Sequence, residues 1–583
     1  MMKTLMTLDG MSGNWEIAFS AGEGAGGTLV QIDADDRPVL AVSRDGGGLK
    51  AVIHTVWRGE TERFGRDPAF EFALTAPEGG EEVRLCWYGY AFRLYVDGEL
   101  QDEEWPLGDL PAGRWTVRAA ETVRNLSCAP ADAVEPDPEA QFEGPFQNFV
   151  LPGHNTGVGD CMPFARDGRY CLYYLFDRRG HASKKGLGAH QWAQVSSADL
   201  RTWTVHPMAV GITEQWEGSI CTGSLIQKEG RTYAFYAVRT SDGSPAQLTW
   251  AVSDDGVHFV KSGRNFALTA PYEPVSARDP MVFCDAGGLY HMLVTTSLAD
   301  GGPYGGCLAH LTSANLEDWT QHPPFIVPGY ADQPECSDYF EWNGWYYLVF
   351  SNFATARYRM SRQPFGPWIR PETDELDALE VQVPKTAPFG NRRFSTGFLA
   401  RRPRTYAGNA VTHELYQRED GTLGVKQLEE ILPHSDPVAC PAGWELVAGD
   451  GRTARALPAV THGFRLKARM VPDRPGALMG LCIVVDGREY RIEMNPAART
   501  VAIIRPGESF SYGSGRDLLR GVSFDGGIAF DLIVQGDILD MILSGGRAIT
   551  MRLDHSADGG AQPILYALAG TASVSEIEYS EIR

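Results

Sequence analysis

The chain of 583 residues carries a net charge of −22, which argues against a nucleic acid or an anionic membrane as partner, because both attract basic surfaces. Its length is too great for one hydrophobic core and predicts roughly three to four domains. With 65 glycines, 36 prolines and 11% aromatic residues, the composition is typical of short strands joined by tight turns, so we predict an all-β fold.

Residues 1–130 alternate between apolar and polar positions in short runs, and Asp97-Gly98 marks a hairpin turn. This pattern predicts an antiparallel β-sandwich. It resembles the concanavalin-like sandwiches that often accompany carbohydrate enzymes, although a packing role without a ligand is the favoured interpretation. Residues 131–144 lack periodicity and are rich in Pro, Ala and acids, which predicts an extended linker.

The N-terminus lacks the apolar run of roughly 7–15 residues that a signal peptide needs. No apolar stretch approaches the roughly 18 residues of a transmembrane helix. The ten cysteines are scattered, without CxxC or Cys/His ligand spacing, and predict reduced thiols rather than disulfides. We therefore predict a cytoplasmic protein.

Residues 145–432 repeat one pattern: a short apolar strand, a Gly-containing turn, an aromatic strand and a Ser-rich turn that closes on an aromatic residue. First strands recur every roughly 50–60 residues, which is typical of four-stranded propeller blades. With a fifth, degenerate unit expected over 393–423, the segment predicts a five-bladed β-propeller. Residues 433–583 return to the alternating pattern and predict a second antiparallel sandwich, without a cluster of residues that suggests chemistry.

Three of the repeats begin on an acid, namely Asp160, Asp279 and Glu335, each ten or eleven residues before the tyrosine of an aromatic strand. Because the first strand of a blade lies beside the central axis, we expect these acids at equivalent positions around one funnel. Clustered carboxylates repel one another and lose hydration, so such a cluster indicates a functional site. Glycosidic hydrolysis needs one carboxyl to protonate the leaving oxygen and another to attack or to activate water.

Arg278-Asp279-Pro280 and Glu335-Cys336 resemble the paired RDP and EC motifs of glycoside hydrolase family 32, the β-fructofuranosidases. Trp192 before the Ser-rich turn resembles the family's W…S-DL--W segment, and Thr222-Gly223-Ser224 stands where the family has FSGS. The resemblance covers roughly 150–583 and implies a five-bladed propeller followed by a sandwich.

Carried over to this chain, the resemblance implies that Asp160 is the nucleophile, Asp279 the transition-state stabiliser and Glu335 the acid/base. It also implies retention through a fructosyl-enzyme intermediate. The chain departs from the family at the nucleophile, where the family reads WMNDPNG and residues 157–163 read GVGDCMP. Only the Asp is retained there.

Further side chains are predicted to contact the sugar. They are Arg278, Trp192, His154, Asn155, Ser224, Arg178, His181 and Trp216. Cys161 and Cys336, beside two of the acids, are expected to turn their thiols away. No cofactor is predicted and no metal site is signalled, with Ca²⁺ among the funnel acids left open.

The expected partner is an oligosaccharide or small glycoside, and a homo-oligomer is possible. An inverting arabinosidase or xylosidase like those of family 43, with Asp160 as base, and a non-catalytic carbohydrate-binding protein are the alternatives. For a retaining enzyme we expect hydrogen-bond donors around Asp160 and a raised pKa at Glu335. The carboxyls of these two residues should lie roughly 5–5.5 Å apart for retention and roughly 6.5–9.5 Å apart for inversion.

Overall fold

The computed structural model describes residues 2–583 except 9–10, 12, 23–25, 47, 78–79, 132–139, 144–156, 178, 354, 378–379, 402–405, 450 and 508–517. Antiparallel strands dominate it, which confirms the all-β prediction. Helical structure in the described residues is limited to the short turn α1 (Ser183–Gly186) and to 3₁₀ turns at Gly302–Tyr304, Glu429–Ile431 and Ala557–Gly559. None of the described helices has the length and apolar character needed to cross a bilayer.

The first 131 residues form two antiparallel sheets around one core. Their strands are β1 (Met2–Leu8), β2 (Trp15–Ala21), β3 (Gly27–Ala34), β4 (Arg37–Asp45), β5 (Gly48–Val56), β6 (Glu60–Thr61), β7 (Gly65–Arg66), β8 (Ala69–Ala76), β9 (Glu82–Tyr88), β10 (Ala91–Val96), β11 (Glu99–Glu104), β12 (Trp115–Ala120) and β13 (Val123–Pro130). The sheet orders are β1-β12-β3-β4-β5-β8 and β11-β10-β9-β2-β13, with β6 and β7 as a separate hairpin. Alternate side chains of β2 and β12 point into the shared core, where Trp15 packs edge-on against Trp115.

The middle of the chain forms successive antiparallel groups. Their strands are β14 (Ala140–Glu143), β15 (Gly157–Arg166), β16 (Arg169–Asp177), β17 (Gln191–Ser197), β18 (Thr202–Val210), β19 (Glu217–Lys228), β20 (Arg231–Thr240), β21 (Gln247–Ser253), β22 (Val260–Phe266), β23 (Arg278–Cys284), β24 (Tyr290–Ser297), β25 (Gly306–Ser313), β26 (Thr320–Ile326), β27 (Glu335–Trp342), β28 (Trp345–Asn352), β29 (Thr355–Ser361), β30 (Gln382–Phe389), β31 (Arg392–Ala400), β32 (Gly408–Gln417) and β33 (Leu423–Lys426). Consecutive strands pair within β15–β18, β19–β22, β23–β26, β27–β29 and β30–β33, and the pair Val158 with Gly408 joins the first group to the last. Strand β14, inside the segment predicted as linker, pairs with β18.

The first strands of these groups contact one another in chain order, from β15 through β19, β23 and β27 to β30, and β30 contacts β15 again. The last group begins earlier than the sequence predicted. Its first strand, Gln382–Phe389, contains two prolines and a lysine and therefore does not read as an apolar strand, so the predicted start at Arg393 was wrong.

The Ser-rich turns have a structural cause. The hydroxyl of Ser197 accepts a hydrogen bond from the backbone N–H of Leu200 at 2.8 Å, and Ser313 does the same for Leu316 at 2.9 Å. Each hydroxyl thus satisfies a backbone donor at the turn between the third and fourth strands. Trp203, which closes the first of these turns, is fully buried.

The rest of the chain again forms two antiparallel sheets around one core. Its strands are β34 (Ser435–Pro437), β35 (Trp444–Val447), β36 (Arg452–Ala456), β37 (Phe464–Pro472), β38 (Leu478–Val485), β39 (Arg488–Asn495), β40 (Thr500–Ile504), β41 (Leu518–Arg520), β42 (Ile528–Gln535), β43 (Ile538–Leu543), β44 (Arg547–Arg552), β45 (Ala561–Leu568) and β46 (Thr571–Ile582). The sheet orders are β34-β46-β37-β42-β43-β44, with β35 also on β46, and β36-β45-β38-β39-β40-β41. The ten cysteines of the chain are free thiols, as predicted.

A buried charge cluster joins this last unit to β32. His413 Nδ1 lies 2.7 Å from Asp377 Oδ1, and its Nε2 lies 3.0 Å from Asp540 Oδ2 on β43. Burial by itself would lower the pKa of His413, but the two carboxylates raise it well above its usual range. The imidazolium therefore ties β32 to β43 across the interface.

Candidate active site

Asp160, Asp279 and Glu335 line one pocket of about 320 Å³ near the N-terminal ends of β15, β23 and β27. The other residues that line it are Leu175, His181, His190, Cys221, Thr222, Arg239, Arg278, Cys336, Gln382, Val383, Phe398 and Tyr406. The structure thus brings the three predicted acids together.

The acids lie where each first strand shifts register against its second strand. The shifts fall between Val158 and Cys161, Ile220 and Gly223, Arg278 and Met281, Glu335 and Asp338, and Gln382 and Lys385. Glu335 precedes its bulge, Asp279 is the first residue inside, and Asp160 is the second. The expectation of equivalent positions was therefore wrong: relative to Glu335, Asp279 lies one residue further along its first strand and Asp160 two residues further. The nearly equal spacing to the tyrosines conceals this difference, because the turn after β23 spans 285–289 whereas the turns after β15 and β27 span only 167–168 and 343–344.

Three of these bulges contain a non-glycine residue with left-handed backbone, namely Asp279 at φ 55°, Cys336 at φ 49° and Val383 at φ 40°. Such values are uncommon outside glycine and carry local strain, which is often found at functional sites. The turned backbone also explains why Cys336 was predicted wrongly. Its thiol faces the pocket, with Sγ 3.4 Å from Asp160 Oδ2, whereas Cys161 is buried and donates to the carbonyl of Gly397, as expected.

Both oxygens of Asp160 accept hydrogen bonds from hydroxyls. Thr222 Oγ1 donates to Oδ2, and Tyr406 Oη donates to Oδ1 at 2.9 Å. The backbone N–H of Asp160 in turn donates to Tyr406 Oη at 3.3 Å. The donors expected around an attacking carboxylate are therefore present.

Arg278 bridges the other two acids. Its Nη2 donates to Glu335 Oε1 at 2.8 Å, and its Nε lies 3.7 Å from Asp279 Oδ2. The guanidinium is held from behind by the carbonyl of Ser276 and the side chain of Gln333. One cation thus offsets part of the repulsion between the carboxylates.

The environment raises the pKa of Glu335 above that of an ordinary glutamate. Burial is the largest cause, Asp279 and Asp160 add negative charge, and Arg278 partly opposes the shift. The pKa of Asp279 is also raised, mainly by burial and then by Asp160, again against the pull of Arg278. A carboxyl that keeps its proton to higher pH than usual is suited to act as a general acid.

One wall of the pocket is the loop between β16 and β17. Within it, His181 and His190 line the pocket, and Asp177 Oδ2 lies 2.8 Å from His190 Nε2. The loop is strained, since His181 and three further non-glycine residues have positive φ, namely Lys184, Lys185 and Ala189.

The first unit, which is the pair of sheets formed by β1–β13, holds this loop through buried charges. Arg179 donates to Asp102 at 2.7 Å and to Glu104 at 3.2 Å, both on β11. The backbone of Lys184 donates to Glu104 Oε1 at 2.9 Å, and its ammonium donates to the carbonyl of Glu217 at 2.6 Å. The wall that carries His181 is thus built jointly by the first unit and the middle of the chain.

Several predicted sugar contacts do not line the pocket. Trp192 is fully buried and donates from Nε1 to the carbonyl of Cys221 at 2.8 Å, so it is part of the core. Ser224 links β19 to β23 by a hydrogen bond to the carbonyl of Pro280. Trp216 donates to Glu214 outside the pocket lining. His154, Asn155 and Arg178 lie outside the described residues, whereas Arg278 and His181 do line the pocket.

The sequence did not single out Tyr406, His190, Gln382 or Arg239, all of which line the pocket. Tyr406 reaches it from the segment before β32, which is 246 residues from Asp160 along the chain. No repeat pattern marks that position. Gln382 was missed together with its strand.

A cation would meet few ligands here. Among the described residues, ligand atoms of Asp160, Asp279 and Cys336 lie within 4.8 Å of one another. Burial raises the pKa of the Cys336 thiol well above its usual value, so it is protonated near neutral pH and binds metals poorly. Two carboxylates and a thiol are also far from the six to eight oxygens that Ca²⁺ takes.

Comparison with known proteins identifies related sequences and folds. Residues 162–363 match the model of the glycosyl hydrolases family 32 N-terminal domain. The levanbiose-producing levanase of Bacillus subtilis (strain 168) is 28% identical over 221 residues, and that of Geobacillus stearothermophilus 27% over the same length. These matches cover 36% of this chain and 39% and 51% of the two relatives, so the chain spans about two fifths to half of their length.

Solved structures extend the likeness to most of the chain. A family 32 beta-fructofuranosidase of Bombyx mori superposes with a TM-score of 0.57 at 18% identity, over 75% of this chain and 94% of that one. Fructan 1-exohydrolase IIa of Cichorium intybus gives a TM-score of 0.59 at 15% identity, over 76% and 98%. The family model includes Asp279 and Glu335 but begins two residues after Asp160, in keeping with the departure seen in the sequence there.

Proposed function

We propose that this chain, which belongs to glycoside hydrolase family 32 through its residues 162–363, cleaves terminal β-fructofuranosyl linkages of small fructosides with retention of configuration. Asp160 is the proposed nucleophile, Glu335 the acid/base and Asp279 the residue that holds sugar hydroxyls. The observation that carries the proposal is the pocket in which Arg278 bridges Glu335 and Asp279 while hydroxyls hold both oxygens of Asp160.

In the first step, an oxygen of Asp160 attacks the anomeric carbon while the bond to the leaving oxygen breaks. Glu335 gives its proton to that oxygen, which leaves as an alcohol. The raised pKa of Glu335 supports this role, because the carboxyl keeps its proton to higher pH than an ordinary glutamate does. The product is a glycosyl ester on Asp160.

In the second step, Glu335 removes a proton from water, and the resulting oxygen attacks the anomeric carbon of the ester. The bond to Asp160 breaks, the free sugar leaves, and both carboxyls return to their starting states. Asp279 accepts hydrogen bonds from ring hydroxyls in both steps. These bonds are worth most in the transition state, where the ring carries positive charge.

For the fold, we propose that β15–β33 form a five-bladed β-propeller between two β-sandwiches. The ring of contacts from β15 through β19, β23, β27 and β30 back to β15 supports this arrangement. So does the common bulge, which recurs at the inner end of each of those strands in the described chain. The domain limits at 130, 144 and 432 and the cytoplasmic location stay predictions.

The size of the pocket supports a small substrate. At about 320 Å³ it lies near the lower end of the range for small-ligand pockets, roughly 300–1,000 Å³. A terminal sugar residue fits that space, while the rest of a longer substrate lies outside. We therefore propose action on the end of a chain rather than within it.

A screen of the purified protein on sucrose, inulin, levan and aryl glycosides of several furanoses tests the proposal. We expect turnover of fructosides, with small ones preferred. Proton NMR of the first product formed, recorded before mutarotation, then gives the anomer released, and retention is expected.

Two outcomes contradict the proposal. Release of the inverted anomer, or turnover limited to arabinosides or xylosides, favours the inverting alternative. Sugar binding without turnover, measured by calorimetry, favours a carbohydrate-binding protein.

A further inference from the structure

We infer that Tyr406 is the positioning residue for Asp160 and that the absence of a side chain at Gly159 creates the space in which Tyr406 acts. The inference rests on the proposed function, because it assigns Tyr406 a role toward the carboxylate that is proposed to attack the sugar.

The hydroxyl of Tyr406 makes two hydrogen bonds with the same residue. It donates to Asp160 Oδ1 at 2.9 Å and accepts from the Asp160 backbone N–H at 3.3 Å. Since Thr222 holds the other carboxylate oxygen, both oxygens and the backbone of the bulge are fixed at once. A nucleophile held in this way needs no rearrangement before attack.

The ring of Tyr406 is itself held on two sides. Its centre lies 3.8 Å from that of the His181 ring and 5.0 Å from that of the His190 ring, with the ring planes tilted by about 30° in both pairs. Phe398 packs edge-on at 5.1 Å. These rings restrict the Tyr406 side chain to one orientation, whereas a tyrosine on an open surface could adopt several.

Gly159 permits this approach. A Cβ at position 159 would lie 2.6 Å from Tyr406 Oη, closer than real Cβ atoms come, and 3.0 Å from the carbonyl oxygen of Leu175, which is tighter than most real Cβ contacts. In the motif that this chain resembles, an asparagine precedes the acid. In this chain the residue before the acid is Gly159, and the hydroxyl of Tyr406, from the segment before β32, occupies the space beside it.

The hydroxyl can act only as a donor to the carboxylate. Burial first, and then the negative charge of Asp160, raise the pKa of Tyr406 well above its usual range. It therefore keeps its proton throughout the working pH range. In the second step the bond between the sugar and Asp160 breaks and negative charge returns to the carboxylate, so donation from Tyr406 strengthens as the carboxylate departs. In the first step the hydroxyl acts by orienting the carboxylate for attack.

The test compares Tyr406→Phe with Tyr173→Phe. Tyr173 is another buried tyrosine, on β16, and its hydroxyl donates to the carbonyl of Gly256. It does not line the pocket. We expect Tyr406→Phe to lower kcat on the best fructoside by roughly 10²-fold with KM little changed, because one donor to the reacting carboxylate is lost. Tyr173→Phe should leave both constants unchanged.

A second variant probes the space itself. Gly159→Ala should lower kcat by a similar factor, because its methyl group displaces the hydroxyl. In the double variant Gly159→Ala/Tyr406→Phe the loss should be well short of the product of the two single losses, since the displaced group is already absent.

Several results would overturn the inference. Wild-type kcat in Tyr406→Phe is one, equal losses in Tyr406→Phe and Tyr173→Phe are another, and independent losses in the double variant are a third. In each case the proposed function survives, because the parent enzyme still turns over fructosides. Lack of turnover by the parent in the screen overturns the proposed function and this inference with it.

Discussion

Arg278 and Glu335 form a 2.8 Å ion pair inside the pocket, and the same guanidinium lies within 4 Å of Asp279. The acid that is proposed to give up a proton is thus paired with a cation that favours its ionised form. Burial and the two neighbouring carboxylates outweigh that pull, and the pKa of Glu335 is raised on balance.

Replacement of Arg278 by Met should move the alkaline limb of the pH–rate profile to higher pH. Arg278 lowers the pKa of Glu335, so its removal raises that pKa further, and the general acid keeps its proton to higher pH. We expect kcat/KM at the optimum to fall as well, because Asp279 loses its cation. Kinetics on an aryl fructoside across the pH range measure both effects, and an alkaline limb that moves to lower pH contradicts the assignment.

Glu335→Gln should lower kcat by roughly 10²–10⁴-fold, because the amide has no proton to give to the leaving oxygen. The matched control is Glu341→Gln on the same strand, β27, where the side chain is exposed and accepts a hydrogen bond from the turn at Gly344. It should retain wild-type kcat. Unchanged turnover in Glu335→Gln, with the fold verified by circular dichroism, removes Glu335 from the mechanism.

His413→Gln should destabilise the protein by about 3–5 kcal/mol, because it leaves two buried carboxylates without their cation. The exposed pair of His258 with Asp255 provides the control, and His258→Gln should change the unfolding free energy by less than about 1 kcal/mol. Urea denaturation followed by tryptophan fluorescence measures both.

The pH dependence of this effect has a definite sign. The folded-state pKa of His413 is raised above its unfolded value of about 6.5, so its contribution is fully present below that pH and declines as pH rises toward the folded-state value. The difference between wild type and His413→Gln should therefore be largest near pH 6 and shrink in alkaline buffer. A difference that grows with pH would show that the ring is neutral in the folded protein.

Arg179→Met should reduce kcat/KM although Arg179 does not line the pocket. The change removes the ion pairs with Asp102 and Glu104 that hold the loop carrying His181. Arg93→Met is the control, because it breaks a comparable pair with Glu103 on the same strand. Both variants should lower the thermal midpoint, but only Arg179→Met should lower kcat/KM. Equal kinetic losses in both would mean that stability alone is responsible.

The sequence predicted the all-β fold and the convergence of Asp160, Asp279 and Glu335, because the repeat places each acid near the start of a first strand and these strand starts meet at one pocket. It could not predict the position of each acid relative to the bulge, because the first strands and the turns that follow them differ in length and these differences nearly cancel in the spacing to the tyrosines. Trp192 was predicted to contact the sugar because it precedes the Ser-rich turn as in the family's W…S-DL--W segment. The structure shows that Trp192 is instead fully buried in the core.

The partners of Asp160 could not be predicted at all. Tyr406 lies 246 residues away, and the pairing of β15 with β32 brings its segment beside Asp160. His190 was not singled out from the sequence either, for a different reason. Its loop is irregular and strained, and strain that is compensated by contacts with the first unit leaves no local pattern in the sequence.

The buried acids of β11 determine whether the middle of the chain can fold correctly when it is expressed without the first unit. Glu104 and Lys184 are both almost fully enclosed, and each has its hydrogen-bond partner across the boundary between the first unit and the β16–β17 loop. A fragment that begins near residue 157 would expose this loop and leave the Lys184 backbone without its carboxylate acceptor. The first 131 residues thus stabilise the wall of the pocket, and we expect a replacement domain to do so only if it presents acidic side chains where Asp102 and Glu104 lie.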